Sequence, residues 1–220
     1  MEGFSKSFWA MRLSLIGMAG SGKSYWSTRL FEHGFRRFCC DDLIAAKLDP
    51  ELTRPDGSTM ELGQWMGFPY EPHYRERESK YLACEIEVLT EILDYLESRN
   101  SDPEEKIVVD TTGSVIYTGK RILRKLCQYT TVIYLSIPPE VREQLLKAYI
   151  SSPHPMLWRD VFSKEPDETE QEALARCYPR LVAARERSYE HYANMTIDYC
   201  IRSEEGFGVN DLLHEVAPGP

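Results

Sequence analysis

Apolar residues fall in short blocks between turn-formers, and the spacing inside each block predicts what it becomes. Leu13 to Ile16 is an apolar run that stops at Gly17, and Lys23 to His33 then reads as a helix ended by Gly34. Phe35 to Cys40 suits a second strand, with Asp41 and Asp42 at the place of an N-cap for a helix reaching Leu48. Pro55, Gly57, Gly63, Gly67, Pro69 and Pro72 punctuate the stretch from Leu52 to Tyr74 too often for a regular element, which predicts a functional loop or cap. Between Ser79 and Arg99, Leu82, Ile86, Leu89, Leu93 and Leu96 recur at steps of four and three and line one face of a long helix.

The alternation continues beyond a polar break at 101–105. Lys106 to Asp110 is β-rich, Thr118 to Gln128 helical and Thr131 to Ser136 a strand, while Pro138 and Pro139 suit the opening turn of another helix. Ser151 to about Asp167 is irregular, Glu168 to Tyr192 amphipathic, and Thr196 to Ile201 a last strand. Strands alternating with helices predict an α/β fold: a mainly parallel five-stranded sheet with helices on both faces. A length of 220 residues suits a single domain over 1–220. Two mobile insertions are expected in it, a substrate cap over about 49–78 and a lid over about 150–168, and a Pro/Gly tail occupies 218–220.

Charge narrows the partners. With 35 acidic and 26 basic side chains the formal charge is −9, and no Lys/Arg-rich run is present, which weighs against nucleic acid and anionic membrane surfaces. The six cysteines, at 39, 40, 84, 127, 177 and 200, form no C-x-x-C pair and predict buried thiols in a reducing compartment. No apolar run nears the roughly 20 residues that span a bilayer, and the opening MEGFSKSFWAM lacks an apolar signal core. A cytoplasmic protein with a small-molecule partner, monomeric or weakly dimeric, is the expectation. His33, His73, His154, His191 and His214 show no metal spacing and receive no catalytic role.

One motif decides the class. Gly17-Met18-Ala19-Gly20-Ser21-Gly22-Lys23-Ser24 matches G-x-x-x-x-G-K-[ST], whose glycines let successive backbone N–H groups point at phosphate oxygens. Lys23 adds a point charge, the helix behind it the positive end of its dipole, and the Ser24 hydroxyl a ligand for Mg²⁺. A nucleoside triphosphate, ATP with Mg²⁺, is the implied cofactor, with Tyr25 following directly on the motif. Asp110, ending a hydrophobic strand, stands where P-loop enzymes place a carboxylate that holds Mg²⁺ or its waters. Neither the N-K-x-D segment of GTPases nor the L-S-G-G-Q segment of transport ATPases occurs.

From about Arg12 to Ile201 the remaining pattern resembles the shikimate kinase family. Phe38-Cys39-Cys40-Asp41-Asp42-Leu43-Ile44 is similar to the family's aromatic-x-x-Asp-x-x-Ile segment, which makes Asp41 the substrate-hydroxyl Asp. Tyr74-Arg75-Glu76-Arg77-Glu78 resembles its aromatic-Arg-x-x-Glu, which makes Arg75 a carboxylate-gripping residue. Thr111-Thr112-Gly113-Ser114-Val115 stands for the Gly-rich turn lining the substrate pocket, so Thr112 and Gly113 would face the acceptor. Arg185 aligns with the second carboxylate-binding Arg, and Lys147 with a residue packing on adenine. Two guanidiniums on one carboxylate give bidentate, charge-assisted bonds, so the resemblance implies an acidic metabolite held with its hydroxyl toward the γ-phosphate.

The chain also departs from that pattern. Cys39 replaces the family's second Asp and is a poor Mg²⁺ ligand, for which Asp110 compensates. Thr111 and Thr112 replace pocket glycines, crowd the pocket and do not readily take positive φ. The lid arginine before its Pro is His154 in His154-Pro155-Met156-Leu157, leaving Arg159 or Arg176 as the cation over the transferred phosphate. Trp65, Met66, Phe68 and Tyr70 either wall an apolar pocket or anchor the cap to the core. Asp41 and Asp42 have a helix-capping alternative, and Arg75 and Arg185 a solvated-helix alternative. The reading is a small-metabolite kinase, shikimate the leading acceptor. The alternatives are a kinase of a sugar acid or nucleoside, or a nucleotide-gated binding module without phosphotransfer.

Overall fold

The computed structural model describes residues 11–99 and 105–216. The opening segment, most of the polar break at 101–105 and the Pro/Gly tail therefore lie outside the described residues.

The β-rich runs form one sheet. Strands β1 (Arg12–Ile16), β2 (Arg36–Cys39), β3 (Ile107–Asp110), β4 (Thr131–Leu135) and β5 (Met195–Ile197) stand in the order β2-β3-β1-β4-β5. Every described strand pairing is parallel, and the register sets Leu15 beside both Asp110 and Ile133. Strand side chains alternate between two cores. Leu13, Leu15, Val108, Ile133 and Leu135 face Trp26 and Leu30 of α1 (Lys23–Glu32) and Leu212 of α10 (Val209–Val216). Ile16, Ile107, Val109, Val132 and Tyr134 face the opposite core. That core packs against α2 (Cys40–Lys47), α5 (Tyr74–Ser98), α6 (Lys120–Tyr129), α7 (Pro139–Ser151) and α8 (Glu170–Tyr192). Parallel strands require such helical cover on both faces, which is why β1, β3 and β4 are apolar almost throughout.

Several expectations need correction. Asp41 and Asp42 do not cap α2; Cys39 holds the N-cap position and both carboxylates lie in the first turn, where they favour the positive end of the helix dipole. The long helix α5 begins at Tyr74 rather than Ser79. Its buried stripe runs Tyr74, Glu78, Tyr81, Glu85, Val88, Leu89, Ile92, Leu93 and Leu96, so Leu82 and Ile86 are only partly buried and the N-terminal half of the stripe is polar. The punctuated stretch contains two short helices, α3 (Asp49–Leu52) and α4 (Leu62–Met66). The last strand is shorter than expected, because Tyr199–Arg202 turns into helix α9, and α10 carried no signal that was read. Only Cys40 and Cys177 of the six free thiols are buried; Cys200 is exposed and the others half-buried.

The cap and lid segments meet at one tight point. A Cβ on Gly63 of α4 would lie 1.9 Å from the Pro153 carbonyl oxygen and 2.7 Å from the His154 Cα, so glycine alone fits there. Trp65 and Met66 are buried in the main core, with Phe68 packed on it and Tyr70 stacked on Phe68, so these side chains anchor the segment. No helix among the described residues is long and apolar enough to cross a membrane.

Candidate active site

Strand β1 delivers the chain to a turn that only glycine can complete. Gly20 and Gly22 sit at φ +79° and +96°, and Gly22 is the N-cap of α1, so the amides of the turn and the helix end converge on one space. The Lys23 ammonium, nearly buried, donates to the carbonyls of Gly17 and Met18 at 2.9 Å each. Burial lowers its pKa, against the neighbouring charges of Asp110 and Asp41. A cleft of about 430 Å³ opens over this turn. Its lining includes Gly20, Gly22, Lys23, Ser24 and Tyr25 with Asp41, Thr112 and Gly113, which places phosphate-cradling and acceptor-side candidates in one space. Leu145 and Ala148 of α7 and Ser152, His154 and Pro155 of the lid segment close the other wall.

Asp41 is open to the cleft yet surrounded by protein. It accepts a 2.8 Å hydrogen bond from the Tyr81 hydroxyl of α5, and burial raises its pKa against that bond and the Lys23 charge. Asp110, at the end of β3, is 3% exposed. Its Oδ2 accepts from Ser27 Oγ at 2.8 Å and from the Arg37 guanidinium at 2.9 Å, while Arg37 Nε donates to Ser27 Oγ at 2.8 Å. Strand β2 thus clips β3 to α1 through one buried ionic triangle that the sequence reading missed. Cys39, beside it, has its thiol pushed up to about 12 by burial, and so remains a neutral thiol.

The arginines expected at the acceptor side are elsewhere or already occupied. Arg75 is 67% exposed and pairs with Asp160, outside the cleft lining. Arg185 is 1% exposed and spans two chain segments, donating from NH1 to the Gly113 carbonyl at 3.0 Å and from NH2 to the Leu157 carbonyl at 2.6 Å. Arg185 thereby ties the turn after β3 to the lid segment. Arg159 holds φ +54°; its amide donates to Glu78 Oε1 at 2.7 Å, and its guanidinium lies 3.7 Å from Glu78 Oε2 and over the Tyr117 ring. Arg176 is bound by Glu168 at the foot of α8, and Lys147 is an exposed partner of Glu143 on α7, outside the cleft lining. Thr111 and Thr112 sit at ordinary negative φ, the Thr111 hydroxyl donating to the Leu15 carbonyl.

Beneath the cleft floor lies a second feature absent from the sequence reading. Glu85 of α5 is fully buried, accepting from the hydroxyls of Thr112 and Ser114, the latter at 2.7 Å. Burial lifts its pKa to about 7, against those two hydrogen bonds. Tyr81 and Glu78 stand one and two turns before it on the same face. Extending the Leu96, Leu93, Leu89 register N-terminally by steps of four and three would have reached Glu85, Tyr81, Glu78 and Tyr74. Arg202 of α9 was also missed: it donates to the carbonyls of Ile197, Ser136 and, at 2.9 Å, Ser21, fastening the phosphate turn to the ends of β4 and β5. Burial lowers its pKa to about 10.

No family model and no curated protein sequence matches the chain. Solved structures do. Shikimate kinase from Acinetobacter baumannii in complex with shikimate superposes with a TM-score of 0.60 at 21% identity, covering 94% of this chain and 90% of that one. Shikimate kinases from Bacteroides thetaiotaomicron and Aquifex aeolicus each give 0.57, at 15% and 17% identity, over 94% of this chain and 96% of theirs. The five-stranded parallel sheet with its P-loop is therefore the fold of the shikimate kinases, as the sequence resemblance implied.

Proposed function

We propose that this chain is an ATP- and Mg²⁺-dependent kinase that moves the γ-phosphoryl group onto a hydroxyl of a small molecule. The observation that carries the reading is the single cleft in which the P-loop lysine and amides face Asp41 and the Thr112-Gly113 turn. In-line phosphoryl transfer needs alignment and charge neutralisation more than covalent help, and both are present in that lining. Backbone amides of 18–24 and the Lys23 ammonium hold the phosphates. The acceptor oxygen forms its bond to the γ-phosphorus, the bond to the β,γ-bridging oxygen breaks, ADP leaves, and the hydroxyl proton passes to Asp41. The raised pKa of Asp41 makes it a stronger base than an ordinary carboxylate, and Tyr81 fixes its direction.

Among the described residues no cluster of three acidic, His or Cys side chains forms a metal site by itself. Ser24, in the cleft lining, offers its hydroxyl to an Mg²⁺ carried by the nucleotide, and Asp110, 3% exposed and outside that lining, would act on it through water. When bound, Mg²⁺ would neutralise phosphate charge; the Ser27 and Arg37 contacts fix the direction of the Asp110 carboxylate.

The acceptor is proposed only as a hydroxyl compound. The Acinetobacter baumannii neighbour supports shikimate as the first to assay, whereas the exposed pairing of Arg75 with Asp160 and the main-chain contacts of Arg185 weigh against the guanidinium pair that favoured a carboxylate. Coupled ADP release across shikimate, gluconate-type sugar acids and nucleosides tests the reading, with acceptor-dependent turnover expected for one of them. Nucleotide binding by calorimetry without any acceptor-dependent ADP points instead to a nucleotide-gated binding module.

A further inference from the structure

The lid position where the family resemblance expects arginine is His154, and the structure gives that imidazole an unusual setting. It lines the same cleft as Gly20, Gly22, Lys23 and Ser24. Its Nε2 is buried and has no hydrogen-bond partner among the described residues, which is costly for a polar atom unless a ligand completes it. The ring is also immobilised. It packs edge-on against Tyr149 of α7 with centroids 5.2 Å apart, Tyr149 is itself held by the Trp158 indole N–H, and the His154 backbone rests against Gly63 of α4.

The charged groups facing it are Lys23 of α1 and Arg185 of α8, with Asp41 of α2 in the same cleft lining and the Tyr149 hydroxyl the titratable group on α7. We propose that His154 is a phosphate ligand that takes up a proton as the nucleotide binds. The inference rests on the nucleotide-binding reading above. Burial and the two cations hold the free imidazole near pKa 4, so it is neutral at physiological pH and adds no further positive charge beside Lys23 and Arg185. A bound polyphosphate brings several negative charges between Lys23 and the ring, reverses that balance, and turns Nε2 into a charge-assisted donor to a phosphate oxygen. A lid arginine carries its charge permanently and pays repulsion from Lys23 and Arg185 in the free protein. Histidine supplies the cation only when the cleft is loaded.

The sign follows by linkage. A group whose pKa rises on binding makes affinity increase as pH falls through its bound-state pKa, with a limiting slope of about tenfold per pH unit for one proton. Calorimetric titration of the full chain with Mg·ADP and with a non-hydrolysable Mg·ATP analogue, in buffers of different ionisation enthalpy, counts the protons taken up. Comparing wild type with His154→Gln cancels the nucleotide's own protonation, and thermal melting checks that each variant folds. The expected result is a larger proton uptake and a steeper affinity gain from about pH 8 to about pH 6 in the wild type. His154→Arg should retain affinity while losing the extra proton. Equal proton counts and slopes in wild type and His154→Gln, with binding intact, overturn the proposal alone; absence of binding heat in the wild type at both pH values overturns the nucleotide reading and this inference together.

Discussion

The two ends of the cleft are built by different means. At the proposed phosphate end, residues 17–24 are contiguous, the proposed ligand groups are mainly main-chain amides, and strand β1 and helix α1 fix their geometry within one turn. At the proposed acceptor end, Asp41 comes from α2, Tyr81, Glu78 and Glu85 from α5, Thr112 and Gly113 from the turn after β3, Arg159 from the segment before α8 and Arg185 from α8. Asp41, Glu85, Arg159 and Arg185 are each held by a group distant in sequence. A site made from backbone depends on a string of residues, whereas a site made from crossing side chains depends on the pairing of elements, and only the first kind is written locally.

The largest test of this contrast is Lys23→Ala. Loss of the P-loop lysine should reduce turnover by about a thousandfold, on the scale of removing a preorganised charge donor, with little change in thermal stability, measured by coupled ADP release and melting. A comparable loss of stability instead would mean that the loop needs its lysine to fold. Arg185→Met should do the reverse. It strands the Leu157 carbonyl in the interior and cuts the turn after β3 loose from the lid segment, costing about 2–3 kcal/mol in denaturant unfolding, with a smaller loss of turnover than Lys23→Ala.

Glu85 sharpens the comparison through pH. Its folded pKa of about 7 lies above its ordinary value of 4.5, so folding favours the protonated form. The folded state binds more protons than the unfolded one across that window, and stability is present below it and falls as pH rises from about 4.5 to about 7. Glu85→Gln should flatten that fall, worth on the order of 2 kcal/mol above pH 7, read from unfolding free energies across the range. An unchanged slope would remove Glu85 as its source. The smallest effect belongs to Arg75→Ala, whose partner Asp160 is almost fully exposed. Stability should shift by less than about 0.5 kcal/mol and the acceptor KM should not move; a rise in KM would restore Arg75 to the acceptor site.

Legibility in the sequence followed the same division. The P-loop, the strand before it and the helix behind it were readable because the motif demands glycines at fixed positions and an apolar run to present them. The three inner strands, β1, β3 and β4, were readable because a sheet covered on both faces leaves little room for polar side chains. Arg75 misled because a helix face has no sequence mark saying whether it turns toward the cleft or toward Asp160. Glu78 and Glu85 were hidden because buried carboxylates continue an apolar stripe without looking apolar, and partners from the turn after β3, the lid segment and Tyr74 make them tolerable there. The final strand was drawn too long because Tyr199 to Ile201 has strand-forming residues, while the chain is bent into α9 by the bonds Arg202 makes to three carbonyls.

The contact between Gly63 and Pro153 joins α4 to the segment that carries His154 with no slack between them. A single hydrogen atom is the spacer, so displacement of α4 is handed directly to that segment and to the imidazole next in line. Adding one methyl group there would be felt in the wall of the cleft, although it would line no part of it.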